Sequence, residues 1–360
     1  MKPIKHLPSK HVIACCLEYG KMNISQTHSL PWLRSFRFDI GFILLIPFMA
    51  IAAGFSVNEN PALFAGILLL DIWLLGYHHV ISTFTRISFS KQQAAEHRTL
   101  LIHVPILVLA GTVAALYFVG PWAIATLYLY WQWFHYTRQS YGISRYYMSK
   151  SGRVAPPSRD INSYALYLLP LTGILYRSYQ APEKFLFMEL KTLPVSYEIV
   201  MVFLALSIIA ITLQIGQWIR DYLRGELSIP YALYVLSHHA IFAVGYLLIE
   251  DINYGWLALN IWHNAQYIAF VWLQNNLRYE GIEGTKDSLI SHISQKKNII
   301  YYFAVCLALA VFIYTLLDVV RAGLQLYSLM PMGMVIYMTI NFHHYVVDAV
   351  IWKRRKKTAA

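Results

Sequence analysis

The stretch 254–276, YGWLALNIWHNAQYIAFVWLQNN, decides the fold that this sequence predicts. It matches the ~20 residues that an α-helix needs to cross a bilayer core, and it contains no Asp, Glu, Lys or Arg. Polar groups nevertheless interrupt the apolar run, among them the imidazole of His263 and several side-chain amides. Because polar groups that face lipid are costly, such a helix is stable only when its polar face packs against other helices. The stretch therefore predicts one helix inside a membrane bundle.

The composition of the whole chain supports a membrane protein. The 360 residues are 58% hydrophobic and 13% charged, and the mean hydropathy is +0.46, whereas average soluble domains are roughly 25% charged. This composition excludes a soluble globular protein and a disordered tail, and three cysteines without a CxxC pair exclude a disulfide scaffold. The net charge of +11 comes from basic residues in short loops, which is typical of membrane topology rather than of nucleic-acid binding.

Ten apolar segments of suitable length divide the chain into predicted spans. The predicted fold class is an all-α, polytopic membrane helix bundle, with a transmembrane domain over 36–352 between an interfacial N-terminal arm at 1–35 and a basic tail at 353–360. The spans are 36–55, 61–84, 99–120, 122–146, 161–178, 196–219, 229–249, 254–276, 298–319 and 326–352. The amphipathic stretch 179–194 is predicted to lie in the membrane interface, and 277–297 is predicted to be a loop.

The distribution of Lys and Arg predicts the orientation of these spans. Basic residues precede the first span and follow the second, fourth, sixth, eighth and tenth, so ten spans place all of them on one side of the membrane. Cytoplasmic loops carry this excess of positive charge. We therefore expect both termini to be cytoplasmic, and we expect an integral protein of a bacterial inner membrane.

Histidine is the polar residue that stands out inside the predicted spans. Counting from the span ends places the imidazoles of five spans between the midplane of the bilayer and its cytoplasmic face. These residues are His78, His79, His135, His238, His239, His263, His343 and His344. Ionisable groups at this depth are costly, so by default they mark a functional site.

Helical phase predicts which imidazoles face the interior of the bundle. Polar residues form one stripe on each of the second, fourth, eighth and tenth spans, at the ~100° per residue of an α-helix. Within the histidine pairs, phase favours His78 over His79 and His344 over His343. The seventh span gives no preference between its two histidines.

Several imidazoles in one dry interior predict a metal site. Neutral rings would each leave a nitrogen without a partner and protonated rings would repel one another, and a divalent cation removes both problems. Histidine is a good ligand for iron and for zinc, and we expect iron, with zinc as the alternative. The candidate ligands are His78, His79, His135, His239, His263, His343 and His344. Hydrogen bonding between helices, haem ligation by paired histidines and a proton relay remain alternative interpretations.

Other polar residues near these histidines are candidates for supporting roles. Asp348 follows His344 by one helical turn and is predicted to accept the second ring N–H of that histidine. Gln266 is also predicted to hold the cofactor or a ligand ring. The candidate catalytic residues, which would orient the substrate, are Tyr267, Gln139 and Asn260. Arg138 and Arg145 could anchor an anionic group of the substrate, or serve only as topology charges.

Four short motifs follow one another along the chain: Tyr77-His78-His79, Phe134-His135-Tyr136, the segment from His263 through Tyr267 to Phe270-Val271-Trp272, and His343-His344 with Asp348. In this order they resemble the Brp/Blh family, membrane-embedded iron enzymes that cleave β-carotene to retinal. The family has glycine after its first two motif histidines and a second helix histidine where Tyr267 stands, so this chain departs from it there. The resemblance implies an iron site and a lipid-soluble substrate, with His239 or the late pair supplying the missing ligand.

Two classes of function remain open at the level of the sequence. The first is an enzyme, a non-haem iron oxygenase or oxidase that takes a lipid-soluble substrate and dioxygen while embedded in membrane lipids. Within this class a zinc hydrolase is the alternative, because Asp71, His78 and Ser82 share a predicted helix face and zinc would activate water there. The second class is a transporter with a histidine-rich central site, which predicts an inverted repeat.

Overall fold

The computed structural model describes residues 31–151, 160–280, 289–326 and 330–352 of the chain. The chain is all-helical, with 84% helix and 1% strand, which confirms the predicted class. Most of the arm at 1–35 and the whole tail at 353–360 lie outside the described residues. The helices are α1 Phe36–Glu59, α2 Pro61–Thr85, α3 Lys91–Glu96, α4 Arg98–Phe118, α5 Pro121–Lys150, α6 Ile161–Gln180, α7 Tyr197–Leu223, α8 Ile229–Leu248, α9 Ile252–Tyr279, α10 Leu289–Ile293, α11 Lys296–Gln325 and α12 Met332–Ile351.

Seven of the described helices are long and apolar enough to cross a membrane, namely α1, α2, α4, α7, α8, α11 and α12. The chain is therefore an integral membrane protein. Three further helices, α5, α6 and α9, have 30, 20 and 28 residues but carry more polar side chains. Most residues of α9 are buried inside the protein. A helix surrounded by other helices does not face lipid, so it tolerates the amides and the imidazole that mark its sequence.

The burial of the spanning helices separates an inner from an outer layer. Within its most apolar window, α8 is 61% buried, whereas α4 and α11 are each 17% buried. The inner helix α9 packs against α1, α2 and the end of α8. The outer helices consequently present apolar side chains to the surroundings, and the inner ones carry the polar residues.

Glycine contacts and a buried arginine join α8 to α9. A Cβ atom at Gly255 would lie 1.9 Å from the carbonyl oxygen of Gly245, so the two backbones touch. Arg177, from α6, donates to the carbonyl groups of Gly245, Ile249 and Glu250. These carbonyls lie at the end of α8, where the helix itself supplies no partner. The arginine therefore caps the carbonyl groups at this end of α8 inside the bundle.

Three of the helices contain a π-helical segment, in which one extra residue is inserted into the turn. These segments are Gly41–Leu45 in α1, Asp71–Gly76 in α2 and Val244–Leu248 in α8. An inserted residue rotates all that follows by about 100° relative to a regular helix. In α2 the π segment ends two residues before His78, which changes the face on which both histidines lie.

The stretch 179–194 forms a short hairpin between α6 and α7. Strands β1 Lys184–Phe185 and β2 Met188–Glu189 pair in antiparallel register. The ring of Phe185 is buried between Tyr128 of α5 and Trp256 of α9. The hairpin therefore covers one end of the bundle. In the stretch predicted as a loop at 277–297, α9 continues to Tyr279 and α10 occupies Leu289–Ile293, while 281–288 lie outside the described residues.

Candidate metal centre

Four buried imidazoles from four helices meet in the interior of the bundle. They belong to His79 of α2, His135 of α5, His263 of α9 and His344 of α12, and one ligand atom from each lies within 4.8 Å of all the others. The centroids of neighbouring rings are 4.4 to 5.2 Å apart. We call these four residues the histidine cluster. Four imidazole nitrogens this close together are able to hold a metal ion.

Asp348 faces the same point as the ring nitrogens. The Nε2 atoms of His79 and His344 are 2.6 Å apart. Oδ2 of Asp348 lies 3.5 Å from Nε2 of His344 and 3.8 Å from Nε2 of His135. The sequence predicted that Asp348 accepts from the other ring nitrogen, but the carboxylate lies on the Nε2 side. It therefore offers an oxygen ligand beside the nitrogens, rather than support from behind a ring.

Thr83 contacts the other nitrogen of His344 and begins a chain of hydrogen bonds. Its Oγ1 lies 3.0 Å from Nδ1 of His344 and donates to the hydroxyl of Tyr267 over 2.8 Å. That hydroxyl donates to Oδ1 of Asp348 over 2.5 Å. The Thr83 hydroxyl has two further acceptors, the Tyr267 oxygen and the carbonyl oxygen of His79 at 3.3 Å, and with its proton on either of them Nδ1 of His344 is the donor to Thr83. This tautomer leaves the lone pair of Nε2 directed into the cluster.

Tyrosine rings pack on the other three imidazoles. Tyr136 stacks on His263 with ring centroids 4.0 Å apart, and Tyr345 stacks on His135 at 4.3 Å. The ring of Tyr267 lies 4.1 Å from that of His79. These large buried side chains restrict the orientation of each imidazole. The sequence pattern of isolated polar stripes did not identify Thr83, Tyr136 or Tyr345 as part of the site.

The buried carboxylate of Asp71 is bonded to side-chain amides next to the histidine cluster. Its oxygens accept from the side chains of Asn260 over 2.5 Å and Asn264 over 3.4 Å. Asn260 in turn accepts from the hydroxyl of Tyr136, which also accepts from Gln132 over 2.6 Å. Asn260, a candidate for orienting the substrate, thus holds the tyrosine that stacks on a cluster histidine.

Two other glutamines in the predicted site contact the backbone. Nε2 of Gln139 lies 3.3 Å from the carbonyl oxygen of His263, at the edge of the cluster. Nε2 of Gln266 donates to the carbonyl of Phe42 in α1 over 2.8 Å, so this amide joins two helices and does not face the cluster.

The two arginines that the sequence offered as anchors for an anionic group both lie beside a tyrosine. The guanidinium groups of Arg138 and Arg145 lie over the ring of Tyr141, at 5.2 and 5.8 Å from its centre.

The remaining candidate ligands lie elsewhere. Nε2 of His239 pairs with Gln214 of α7 at 2.9 Å, and Nε2 of its neighbour His238 lies 3.0 Å from the Leu166 carbonyl of α6. Nε2 of His343 bonds the Leu100 carbonyl of α4 at 2.7 Å. Each of these bonds joins two helices, which is a structural role for a polar side chain in a bundle. Neither histidine of α8 is therefore part of the histidine cluster, so the predicted ligand His239 lies outside it.

His79, and not the phase-favoured His78, belongs to the cluster because of the π segment Asp71–Gly76. On a regular helix His78 would share the face of Asp71. The inserted residue moves that face forward by one position, to His79. The ring of His78 lies beside Phe303 of α11 instead. The trio Asp71, His78 and Ser82, on which a zinc hydrolase was predicted, is consequently not a convergent group.

The donor atoms of the cluster suit a divalent ion. Nε2 of His135 is buried without a hydrogen-bond partner, although it lies on the side of the ring that faces Asp348. An unpaired buried nitrogen is costly, and a metal ion at the common point would give it a partner. Four imidazoles and one carboxylate form a nitrogen-rich set, which iron, zinc, copper and nickel all accept.

No family model, curated protein or solved structure matches this chain.

Proposed function

We propose that the protein is an intramembrane metalloenzyme, a non-haem iron oxygenase or oxidase that acts on a lipid-soluble substrate. The observation that carries the proposal is the convergence of four buried imidazoles from four separate helices within 4.8 Å of one another. Chain segments far apart in sequence contribute these rings. Bringing them together costs conformational entropy and desolvation, which a bound divalent ion offsets.

The other buried histidines support the distinction between a ligand and a structural residue. His239 and His343 each have an oxygen partner on a neighbouring helix. The cluster histidines differ from them, because one ligand nitrogen of each lies within 4.8 Å of those of the other three. Single hydrogen bonds to a neighbouring helix therefore account for His239 and His343, whereas the convergence of four ligand nitrogens favours a bound ion.

Iron is the metal that we propose, on the donor set and on the resemblance to the Brp/Blh family. The residues that would hold it are His79, His135, His263 and His344, with Asp348 as a further oxygen donor. Iron bound there would supply one-electron chemistry towards dioxygen. Zinc remains the alternative metal, since imidazole suits both ions.

The side chains around the cluster would define how substrate and protons are handled. The Thr83–Tyr267–Asp348 chain fixes the tautomer of His344 and holds a proton on the Tyr267 hydroxyl. The four imidazoles are buried, so bulk water is excluded. We propose a lipid-soluble substrate because a site inside the bundle is reached through apolar surroundings rather than from water.

We also propose ten membrane spans with both termini in the cytoplasm of a bacterial cell. The three polar helices α5, α6 and α9 would complete the set of ten alongside the seven apolar ones. The bias of Lys and Arg to one set of loops supports this orientation.

Metal analysis of the purified protein, prepared without a histidine tag, tests the proposal. We expect about one iron per chain, and oxygen uptake when a membrane lipid extract is added. Zinc at the same stoichiometry would support a hydrolase, and the absence of any stoichiometric metal would contradict the metalloenzyme. A transporter predicts uptake of a solute into vesicles without oxygen consumption.

A further inference from the structure

Two arginines lie at one end of the bundle without a carboxylate partner. Arg86 follows the last residue of α2, and Arg278 lies in the last turn of α9. Among the described residues, no Asp or Glu forms an ion pair with either of them. Positive charge at this end is expected from membrane topology alone. Arg86, however, is half-buried without a counterion, which topology alone does not require.

Arg86 is held in place by neutral groups. Its guanidinium donates to Oδ1 of Asn275 over 3.2 Å, and the amide of Asn275 is itself fixed by the hydroxyls of Thr85 and Tyr302. Burial lowers the pKa of Arg86, and the positive charge of Arg278 lowers it further. An arginine nevertheless remains charged in a protein. The positive charges of Arg86 and Arg278 are therefore close together, and the side chains that hold Arg86 are neutral.

Gln93 ties the second arginine to the first. With its amide oriented to satisfy both ends, the oxygen of Gln93 accepts from the Arg278 guanidinium and the nitrogen donates to the Arg86 carbonyl. Gln93 is buried, whereas Arg278 is exposed at the rim. The pair consequently combines one half-buried and one exposed guanidinium, and guanidinium groups bind carboxylates and phosphates through charge-assisted hydrogen bonds.

An aromatic wall connects this arginine pair to the histidine cluster. The Arg86 guanidinium lies over the ring of Trp352, 5.3 Å from its centre. The Trp352 ring is 6.2 Å from that of Tyr267, which is 4.1 Å from that of His79. Along α2 itself, Arg86 and His79 are about two helical turns, or ~10 Å, apart. A head group bound at the arginines would therefore lie about 10 Å from the cluster along α2, a length that a hydrocarbon chain can span.

We propose that Arg86 and Arg278 bind the head group of an anionic amphiphile whose chain runs along Trp352 and Tyr267 towards the histidine cluster. The amphiphile carries one carboxylate or phosphate group on a long hydrocarbon chain. As an assignment of the substrate class, this rests on the proposed function. As a binding site, it depends only on the arginines and the aromatic wall. It differs from the sequence-based candidates Arg138 and Arg145, which contact Tyr141.

Equilibrium binding of radiolabelled oleate to the full-length protein in uncharged detergent tests the site. Arg278→Gln is the primary variant, because Arg278 is exposed and the glutamine amide removes the charge while keeping a donor for Gln93. Arg86→Gln is the second variant. Charge-assisted hydrogen bonds predict that each substitution weakens oleate binding about ten-fold or more. Oleyl alcohol, which has the same chain without the charge, should bind wild-type protein at least about ten-fold more weakly than oleate.

Arg34→Gln is the matched control. Arg34 lies at the same end of the bundle and donates to Asn276, the neighbour of Asn275, but it has the negative charge of Glu280 nearby. We expect this variant to bind oleate within about two-fold of wild type. Equal weakening by Arg34→Gln would overturn the proposal, because any positive charge at this end would then attract oleate. Equal affinity for oleyl alcohol would also overturn it, because the hydrocarbon chain alone would then explain binding.

Competition experiments distinguish the possible sources of the anion. Displacement of oleate by a short-chain phosphatidate at lower concentration would assign a phospholipid head, and failure of phosphatidate to compete would assign a carboxylate; both support the site. Inorganic phosphate that competes as well as the amphiphiles would overturn the role of the chain. Iron is measured on the same samples, so a protein that binds oleate through these arginines but holds no metal would contradict the proposed function alone.

Discussion

The hydroxyl of Thr83 lies 3.0 Å from Nδ1 of His344, while Nε2 of the same ring faces His79. One nitrogen of the His344 ring therefore contacts Thr83, and the other lies inside the histidine cluster, 2.6 Å from Nε2 of His79. Partners of this kind behind a ligating histidine set its tautomer and its orientation. Thr83 on α2 thereby orients the imidazole of His344 on α12.

Replacing Thr83 by valine removes this partner while keeping the shape of the side chain. We expect Thr83→Val to lower the affinity for metal by about 10–100-fold, since Nδ1 of His344 loses its acceptor and the ring can take either tautomer. Metal content after dialysis against graded chelator measures the effect. Thr112→Val is the matched control, because Thr112 is buried on α4 and bonds only the Val108 carbonyl. Equal metal loss in both variants would contradict the role of Thr83.

Replacing Asp348 by asparagine removes a negative charge beside the imidazoles and turns one oxygen into a donor. We expect Asp348→Asn to lower metal affinity by at least about 10–100-fold, with membrane insertion unchanged. Asp318→Asn is the control, because Asp318 lies on α11 in an exposed ion pair with Arg321. Full metal retention in Asp348→Asn would contradict a role of the carboxylate in holding the metal.

Close packing of α8 against α9 predicts a strong effect of a single methyl group. The Cβ atom of Gly255→Ala would meet the Gly245 carbonyl oxygen at 1.9 Å, so the two helices must separate. Overpacking of this kind costs about 1–3 kcal/mol of the free energy of unfolding, which should appear as a lower melting temperature in detergent. Gly216→Ala on α7 meets no atom within 4 Å and should leave the melting temperature unchanged or slightly raised. A melting temperature equal to that of wild type in Gly255→Ala would contradict this packing.

The sequence predicts the helical class and the general site, because apolar length and polar stripes are properties of single helices. It places His135, His263 and His344 on interior faces, and the structure brings these three together. It does not predict the π segment of α2, which has no clear composition signal and moves the interior face from His78 to His79.

The periodicity of a sequence also does not predict which helices contact one another. The sequence predicts that His238 and His239 share the depth of the ligands, and in the structure they pair with α6 and α7. Whether an imidazole at a given depth meets a metal or a carbonyl depends on which helices are neighbours. Thr83 was missed for the same reason, since its partners His344 and Tyr267 belong to other helices.

The adjacent histidines of α2 give the most direct test of the metal centre. The measurement is the number of iron atoms per chain in tag-free His79→Ala and His78→Ala proteins, purified side by side with wild type. We expect wild type and His78→Ala to hold about one iron per chain and His79→Ala to lose it, because only His79 lies within 4.8 Å of the other three ligand atoms. Loss of iron in His78→Ala with retention in His79→Ala, or equal retention in both, would contradict a centre built on His79, His135, His263 and His344.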